Sequence, residues 1–189
     1  MQIVIPMSGF GERFRQAGYA VPKPLIEVDG KPIIQYIVEM FSDKDDFIFI
    51  CNEDHLNNKT YGMESILRSI CSSCVIVGIL PHKLGPVHAV MQSIDFINLN
   101  SSVIVNYCDF TCDWDYSDFS NMVGETECDG AIPCYRGFHP HTLWSNYYAY
   151  VQEEKMHAYN IQEKQPFTDK PREEFASSGT YYFKSGALM

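Results

Sequence analysis

The stretch that decides the fold is residues 1–31, MQIVIPMSGFGERFRQAGYAVPKPLIEVDGK. Its apolar start, residues 2–6, predicts a buried strand that runs directly into a loop with two closely spaced glycines. Glycines let backbone N–H groups approach phosphate oxygens closely, and the same loop carries Arg13, Arg15 and Lys23. A strand that ends in a flexible, cationic loop predicts a phosphate-binding site. Phe14 stands where a dinucleotide fingerprint needs its third glycine, and no GK[ST] follows, so the pattern is neither that fingerprint nor a P-loop.

Two cations of this loop have distinct chemistry. Arg13 offers a planar fork that can grip a terminal phosphate group. Lys23 lies between Pro22 and Pro24, and a following proline favours an extended backbone. A flexible lysine on a stiff backbone suits the stabilisation of charge on a reacting phosphorus. The alternative for Lys23 is a solvated lysine in a proline-rich loop.

Downstream, strands and helices alternate. Apolar runs at residues 47–51, 74–80 and 102–107 predict buried strands, and apolar spacing predicts helices at residues 33–41, 60–70, 85–97 and 115–123. This alternation predicts an α/β fold, three-layer and Rossmann-like, with a mainly parallel central sheet. Ligands of such sheets bind at the carboxyl ends of the strands, where the loop of residues 8–24, the loop of residues 81–86 and Asp109 would converge.

The pattern changes after residue 127, where short strand-like segments predict a small mixed or antiparallel extension of the same sheet. No linker or repeat separates the two parts, so we expect a single domain over residues 1–189. Residues 183–189 resemble the start of a helix, which leaves open that the domain lacks its C-terminal end.

The charge distribution narrows the choice of partners. The chain has a formal net charge of −10, which makes nucleic acid and anionic membranes poor partners. Residues 1–31 nevertheless carry four Lys/Arg against three acids, which predicts that a small polyanion binds there. No apolar stretch is long enough to span a bilayer, and residues 1–31 begin with a strand instead of a secretion signal. We therefore expect a cytoplasmic protein, for which a homo-oligomer stays open.

Seven cysteines, an odd number, favour reduced cytosolic thiols over a disulfide framework. Cys71 and Cys74 form a CxxC pair, and Cys108 and Cys112 lie four apart. A zinc site is the alternative, but each pair adjoins an apolar strand, so buried thiols are the preferred interpretation.

The motif MQIVIPMSGFGERF followed by VPKPLIEVDGKPII resembles the N-terminal signature of the sugar-phosphate nucleotidylyltransferases, whose nucleotide-binding architecture is GT-A-like. In that family a strand is followed by G-x-G-[ST]-R and then by P-K-x-L. Four later segments resemble the family in order: the base-pocket turn HKLGPVHA at 82–89, the strand end NYCD at 106–109, the sugar-phosphate motif QEKQP at 162–166, and the neighbouring strand SGTYYF at 178–183.

The resemblance implies a role for each matching residue. The backbone of Met7, Ser8, Gly9 and Gly11 would wrap a nucleoside triphosphate, with Arg13 on the β and γ phosphates, Lys23 on the α phosphate, and Gly85 and Pro86 beside the base. Asp109 would bind Mg²⁺, Glu163 a sugar hydroxyl and Lys164 the sugar phosphate, and Gly179 would let the sugar pack against bare backbone.

The implied function is that of a Mg²⁺-dependent nucleotidylyltransferase, with Arg13 and Lys23 as its catalytic residues. It would condense a nucleoside triphosphate with a sugar phosphate, or a similar phosphorylated metabolite, for surface polysaccharide biosynthesis. Two alternatives stay open: a GT-A glycosyltransferase that uses an NDP-sugar, for which Asp113 and Asp115 would complete an aspartate-rich metal motif, and a non-catalytic nucleotide-binding homologue. Asp115 is better explained as a helix N-terminus.

The sequence departs from the family pattern in two ways. Glu12 stands where the family prefers Ser or Thr, and its carboxylate would have to point away from the triphosphate or pair with Arg13 or Arg15. The second metal aspartate that many members have near the C-terminal end has no counterpart here.

Three further segments carry weaker signals. Arg136 is predicted either to face the acceptor phosphate or to be a surface arginine. His139 and His141 are better explained as loop or packing histidines than as ligands. Lys170, Arg172, Glu173 and Glu174 have the character of a solvated turn.

Overall fold

Strand β1, Gln2–Met7, lies in the centre of the main sheet, and all six of its residues are buried. The computed structural model describes residues 1–139 and 148–189. In chain order, the elements up to residue 131 are β1 Gln2–Met7, α1 Glu12–Gln16, β2 Glu27–Val28, β3 Lys31–Pro32, α2 Ile33–Val38, β4 Asp46–Asn52, α3 Glu53–Asn57, α4 Met63–Ile70, β5 Val75–Ile79, α5 Pro86–Gln92, β6 Val103–Asn106, α6 Tyr116–Thr126 and β7 Gly130–Ala131. They are followed by β8 Cys134–Tyr135, β9 Ala149–Glu154, β10 His157–Glu163, β11 Phe175–Ser177 and β12 Thr180–Phe183. Short 3-10 turns span Lys23–Leu25, Ile94–Phe96 and Pro171–Glu173.

The main sheet has the order β5-β4-β1-β6-β12-β7. Strand β1 is parallel to β4 on one side, from Gln2 opposite Asp46 to Met7 opposite Cys51, and parallel to β6 on the other. Because β5 is also parallel to β4, the carboxyl ends of four strands lie at one edge of the sheet. The predicted apolar strands and the mainly parallel sheet are confirmed, and this edge is where ligands of such sheets bind.

Helices cover both faces of the sheet, which makes three layers. On one face, Ile34 and Ile37 of α2 and Leu67 of α4 pack against Ile3 and Ile5 of β1. On the other face, Ala89 and Val90 of α5 pack in the same cluster as Val4 of β1. The strands are apolar on both faces because both faces are covered.

The helix predicted for residues 85–97 is broken. Helix α5 ends at Gln92, and the buried Ser93 hydroxyl donates to the carbonyls of Ala89 at 2.9 Å and Val90 at 3.1 Å. A serine hydroxyl that bonds these carbonyls competes with the helical backbone pattern, and a 3-10 turn follows at Ile94–Phe96. The apolar periodicity alone did not reveal this break.

A second sheet corrects the expected topology after residue 127. Strands β7 and β12 join the main sheet as predicted, with Tyr182 opposite Ala131. Strands β8–β11 instead form a separate antiparallel sheet of order β10-β9-β11-β8. The alternating pattern fixes which residues form strands, but not with which strands they pair, so the prediction of one continuous sheet was wrong for these four.

Contacts divide the chain into two compact units. Unit 1 comprises residues 1–131 and 182–189, and unit 2 comprises residues 132–181. The single domain over residues 1–189, with or without a missing C-terminal end, stays a prediction. Among the described residues, no helix combines the length and the apolar character needed to cross a membrane.

Asp115 is the N-cap of α6, and its Oδ1 accepts the Asp118 N–H at 2.8 Å. We predict that Asp115→Ala lowers the free energy of unfolding by about 1 kcal/mol, because an orphan helix N–H loses its partner. Denaturant unfolding monitored by circular dichroism measures the change. Asp113→Ala is the matched control, since Asp113 is exposed and does not cap the helix. An equal loss in both variants would contradict the capping role.

Candidate active site

The glycine loop is anchored to the strand next to β1. Ser8, which follows the last residue of β1, is buried, and its carbonyl accepts a hydrogen bond from Asn52 Nδ2 at 3.3 Å. Asn52 ends β4, and its Oδ1 also accepts the Asp54 N–H at 2.9 Å as the N-cap of α3. One fully buried amide thus fixes both the start of the loop and the neighbouring helix. Met7 itself is buried in the core.

The backbone conformation at position 11 requires glycine. Its φ is +61°, in the left-handed region, where it precedes the one-turn helix α1. A Cβ added there would lie 3.5 Å from the Cβ of Lys23, so the two parts of the signature are in direct proximity. Gly9 and Arg13, also predicted to contact the triphosphate, are both exposed, Gly9 in the loop and Arg13 on α1. Helix α1 lies within residues 8–24, which were expected to be loop throughout.

The backbone of Lys23 is not extended, contrary to the sequence-based prediction. Lys23 opens a 3-10 turn in which the Leu25 N–H donates to the Pro22 carbonyl at 2.8 Å and the Ile26 N–H to the Lys23 carbonyl at 3.2 Å. Pro24 fits this turn because its missing N–H would have no partner at that position. Pro22 and Pro24 are buried, so the lysine still projects from a fixed backbone.

The Lys23 ammonium forms an ion pair with the Asp109 carboxylate. Asp109 follows β6, which is the neighbour of β1 on the side opposite β4. The Lys23 Nζ also lies 5.6 Å from the centroid of the Phe14 ring. The side chains of Lys23 and Asp109 are 23% and 40% exposed, so both remain accessible to a ligand. The structure therefore brings together two residues to which the resemblance assigns the α phosphate and the metal.

The donor set around Asp109 fits Mg²⁺. Within residues 1–139 and 148–189, no three His, Cys, Asp or Glu residues cluster closely enough to hold a metal by themselves. Mg²⁺ is commonly bound through one or two carboxylates, with phosphates and water completing the shell. An accessible Asp109 beside the glycine loop, for which phosphate binding is predicted, meets that requirement. Its role as a metal ligand stays a prediction.

The cysteines do not form disulfides, and all seven are free. Cys108, adjacent to Asp109, is buried, and burial raises its pKa to about 11. Burial likewise raises the pKa of Cys74. Burial disfavours the thiolate that a nucleophile needs, so these two cysteines are better explained as buried, unreactive thiols.

The predicted base-pocket turn contacts the glycine loop through His82. The Leu84 N–H donates to His82 Nδ1 at 3.2 Å, and His82 Nε2 lies 3.5 Å from Ser8 Oγ. The imidazole also packs edge-on against His88 of α5, with ring centroids 4.6 Å apart. Gly85, with φ +87°, is the N-cap of α5, and Pro86 is the first residue of that helix. Both residues are exposed.

A second contact joins the same two loops. Glu12 Oε1 accepts a hydrogen bond from Lys83 Nζ at 2.7 Å, and Lys83 lies 5.7 Å from the centroid of the Phe10 ring. Glu12 therefore pairs with Lys83, a partner that the sequence analysis did not name beside Arg13 and Arg15. The hydrogen bond and charge of Lys83, and to a lesser extent the charge of Arg15, lower the pKa of the Glu12 carboxyl. This carboxylate is compensated without using the cations assigned to the phosphates.

The residues assigned to the second substrate all lie in unit 2. Glu163 ends β10, and its Oε1 lies 3.4 Å from Lys164 Nζ; both side chains are more than half exposed. Gly179 is buried with φ +76°, and its N–H donates to Ser177 Oγ at 3.0 Å. The adjacent Ser178 Oγ is buried and has no hydrogen-bond partner among the described residues. A buried hydroxyl without a partner beside Gly179 is a candidate ligand contact.

His139 packs between two tyrosines, with ring centroids 5.5 Å from Tyr135 and 5.8 Å from Tyr148. Burial lowers its pKa, which favours the neutral imidazole. This agrees with the prediction of a packing histidine. His141 lies outside the described residues.

Comparison with known protein families identifies the family of this chain. The model of the family described as "Nucleotidyl transferase" matches residues 3–189. The chain belongs to this family. The nucleotidyltransferase assignment made from the sequence is thus confirmed, and so is the class of fold. No curated protein matches the chain significantly.

Solved structures share the fold of this nucleotidyl transferase at low sequence identity. The nucleoside-diphosphate-sugar pyrophosphorylase from Vibrio cholerae RC9 has a TM-score of 0.73 at 20% identity, over 97% of this chain and 73% of that chain. A UDP-glucose pyrophosphorylase complexed with UDP-glucose has a TM-score of 0.71 at 18% identity, over 97% and 75%. The inositol-1-phosphate CTP transferase from T. maritima has a TM-score of 0.72 at 14% identity, over 97% and 70%.

Three residues of this nucleotidyl transferase site had no individual role in the sequence-based interpretation, although His82 and Lys83 belong to the predicted base-pocket turn. Asn52, His82 and Lys83 connect the glycine loop to β4 and to the base-pocket turn. Asn52 had one local signal, since an Asn at a strand end two residues before Asp54 is a typical N-cap. His82 and Lys83 had none, because their partners are distant in sequence.

We predict that Lys83→Ala raises the pKa of Glu12 toward its ordinary value, because the hydrogen bond and the nearby positive charge are both lost. A carboxyl ¹³C NMR titration measures this pKa. Arg15→Ala is the control and should raise it less. Because the folded-state pKa is lowered, the pair contributes to stability at neutral pH, and this contribution is lost as the pH falls through that pKa. An unchanged Glu12 pKa in Lys83→Ala would contradict the pairing.

Proposed function

We propose that this nucleotidyl transferase condenses a nucleoside triphosphate with a sugar phosphate, or a similar phosphorylated metabolite, in a Mg²⁺-dependent reaction. The products would be an NDP-sugar-type compound and pyrophosphate. The observation that carries the proposal is the contact of Lys23 with Asp109 beside the glycine loop, at the carboxyl edge of a parallel sheet.

The triphosphate would bind to unit 1. Backbone N–H groups between Met7 and Gly11 would face phosphate oxygens, and Arg13 would hold the β and γ phosphates through its fork. Lys23 would exchange Asp109 for oxygens of the α phosphate. Gly85 and Pro86 would line the base.

The reaction needs alignment and charge neutralisation more than proton transfer. An oxygen of the acceptor phosphate attacks the α phosphorus, a new P–O bond forms, and the bond to the β-phosphate oxygen breaks to release pyrophosphate. The attacking phosphate is already ionised at neutral pH, so no general base is required. Lys23 would stabilise the negative charge that is redistributed around the α phosphorus in the transition state. Mg²⁺, held by Asp109, would supply further positive charge to the phosphate oxygens.

The acceptor would bind to groups of unit 2. Lys164 would pair with its phosphate, and Glu163 would accept a hydrogen bond from a hydroxyl. The positive φ of Gly179 supports a ligand contact there, and so does the buried Ser178 hydroxyl, which has no hydrogen-bond partner among residues 1–139 and 148–189. The names of the similar structures include UDP-glucose and inositol 1-phosphate, so we extend the acceptor class to phosphorylated polyhydroxy compounds in general.

The biological setting proposed for this activity is the cytoplasmic supply of activated sugars for surface polysaccharides. Seven free cysteines support a reducing compartment. The glycosyltransferase alternative is disfavoured, because Asp115 of its expected aspartate-rich metal motif caps helix α6 instead. The non-catalytic alternative is disfavoured because the Glu12 carboxylate, the main departure from the family signature, is compensated by Lys83.

We predict that Lys23→Ala reduces kcat for pyrophosphate release by about 100-fold or more, because charge stabilisation at the α phosphorus is lost. The assay screens the common nucleoside triphosphates against a panel of sugar 1-phosphates and phosphorylated alcohols, with Mg²⁺. Lys31→Ala is the matched control, because Lys31 belongs to the same signature but pairs with Glu39 on the surface. Absence of turnover by the full chain with every pair, or equal rates for the two variants, would reject the proposal.

For the acceptor groups we predict that Lys164→Ala raises KM for the phosphorylated acceptor by about tenfold or more, while KM for the triphosphate stays unchanged. Lys170→Ala, which removes another exposed lysine of the same unit, should leave both constants unaltered. Steady-state kinetics with one substrate saturating separates the two constants. If Lys164→Ala raised only the triphosphate KM, the assignment of Lys164 to the acceptor would be wrong.

A further inference from the structure

Two arginines of unit 2 line one open cavity, although they are distant in sequence. Arg136 directly follows β8, and Arg172 is the middle residue of the 3-10 turn Pro171–Glu173. Together with Gly137 and Glu173 they line a cavity of about 380 Å³. A cavity of this size is large enough for a small organic anion.

The two side chains are held by a crossed pair of aromatic contacts. The Arg136 guanidinium lies 5.1 Å from the ring centroid of Phe175, a residue three positions after Arg172. The Arg172 guanidinium lies 5.4 Å from the ring centroid of Phe138, a residue two positions after Arg136. The two segments are also joined directly, because the Gly137 N–H donates to the Arg172 carbonyl at 2.9 Å. Each arginine is therefore positioned by the other arginine's segment.

This arrangement leaves the hydrogen-bonding groups of both arginines available. A guanidinium that packs against a ring still presents N–H donors at its edge, in a fork that matches the oxygens of phosphate or carboxylate. Within residues 1–139 and 148–189, neither Arg136 nor Arg172 makes an ion pair or a side-chain hydrogen bond. Two preorganised cations in one cavity thus lack an ion-pair partner in the part of the chain that the structure describes.

The nearby carboxylates do not neutralise these arginines. Glu174 accepts hydrogen bonds from the backbone N–H groups of Phe167 and Thr168 and from the Thr168 hydroxyl, at 2.6–2.8 Å. Glu173 lines the cavity, but its carboxylate lies 3.3 Å from Lys170 Nζ. In a chain of net charge −10, two arginines that make no ion pair with any described residue create a local positive potential that favours a small anion.

The cavity is separate from the groups assigned to the acceptor. In the antiparallel sheet β10-β9-β11-β8, Glu163 ends β10 at one edge, and Arg136 follows β8 at the other. Three strand spacings of about 4.8 Å put the two edges roughly 14 Å apart. Lys164 pairs with Glu163 at its own edge of the sheet and does not line the cavity of the two arginines.

We propose that Arg136 and Arg172 form a second oxyanion-binding site, which takes the dianion of a phosphate monoester or of inorganic phosphate. Two forks can share the three terminal oxygens of such a group, which carries about two negative charges at neutral pH. The anion is either a free phosphate compound or a second phosphate carried by a larger acceptor.

The test is a titration of the full chain with inorganic phosphate at constant ionic strength, followed by ¹H–¹⁵N NMR of the arginine Nε–Hε groups. The signals of Arg136 and Arg172 should shift together and give one dissociation constant. Arg136→Gln and Arg172→Gln should each weaken binding at the remaining arginine by about tenfold. Glu173→Gln should tighten it by about twofold to threefold, because an opposing charge is removed.

Controls separate this site from the others. Arg68→Gln removes an arginine that already pairs with Glu64, and it should leave the dissociation constant unchanged. Arg136→Lys and Arg172→Lys keep the charge and the stem but lose the fork, so a folded Lys variant with weaker binding supports the site even if a Gln variant fails to fold. Lys23→Ala removes a phosphate contact proposed for the nucleotide and should not alter the shifts of Arg136 and Arg172.

Two further titrations of the Lys164→Ala variant show whether the bound phosphate belongs to a free compound or to a larger acceptor. One titration uses a sugar monophosphate, and the other uses a sugar bisphosphate. Retained shifts with the monophosphate identify a free phosphate compound as the ligand. Retained shifts with the bisphosphate alone identify the second phosphate of an acceptor. Both results support the site, whereas absence of any shift at Arg136 and Arg172 with all three probes overturns it. The proposed transferase activity stands or falls separately, on pyrophosphate release.

Discussion

The position of β1 in the middle of a parallel sheet is the constraint on which the site depends. All six residues of β1 are buried, with β4 on one side and β6 on the other, so the chain beyond Met7 must leave the sheet at its carboxyl edge. The same edge receives Asn52 from β4 and the chain toward Asp109 from β6. Burial of apolar strand surface thereby determines where the polar groups meet. The hydrophobic effect supplies the free energy of folding, and the polar loops then follow the geometry of the strands.

Electrostatic pairing organises the loops at this edge. Lys23 pairs with Asp109, and Glu12 pairs with Lys83, so each carboxylate of the glycine loop and of the β6 end has a cationic partner. Pairs as exposed as these add little to stability, since water screens them. In the proposed function a triphosphate would replace one partner of such a pair at small cost. A glutamate in the phosphate-binding signature is therefore compatible with an anionic ligand, provided that Lys83 stays beside it.

The cationic side chains of unit 2 are arranged differently from those at the edge of the main sheet. Lys164 is exposed beside Glu163, whereas Arg136 and Arg172 are positioned by aromatic rings and have no carboxylate partner among the described residues. Held in this way, an arginine loses less conformational freedom on binding an anion than a flexible lysine does. This difference in preorganisation is the physical reason to expect two phosphate-binding sites of different character in unit 2.

The sequence by itself determined the class of fold, the four parallel strands and the membership of the nucleotidyl transferase family. These features rest on local periodicity and on motif order, which neighbouring residues specify. The requirement for glycine at position 11 was also accessible, because backbone sterics are local. Only the tertiary structure decided the 3-10 turn at Lys23, the partner of Glu12, the separate sheet of β8–β11 and the crossed contacts of Arg136 and Arg172. Most of these features join residues far apart in the chain, and strand order and loop convergence set such contacts. The turn at Lys23 is short, and the burial of its two prolines favours it over the extended backbone that Pro24 alone predicts.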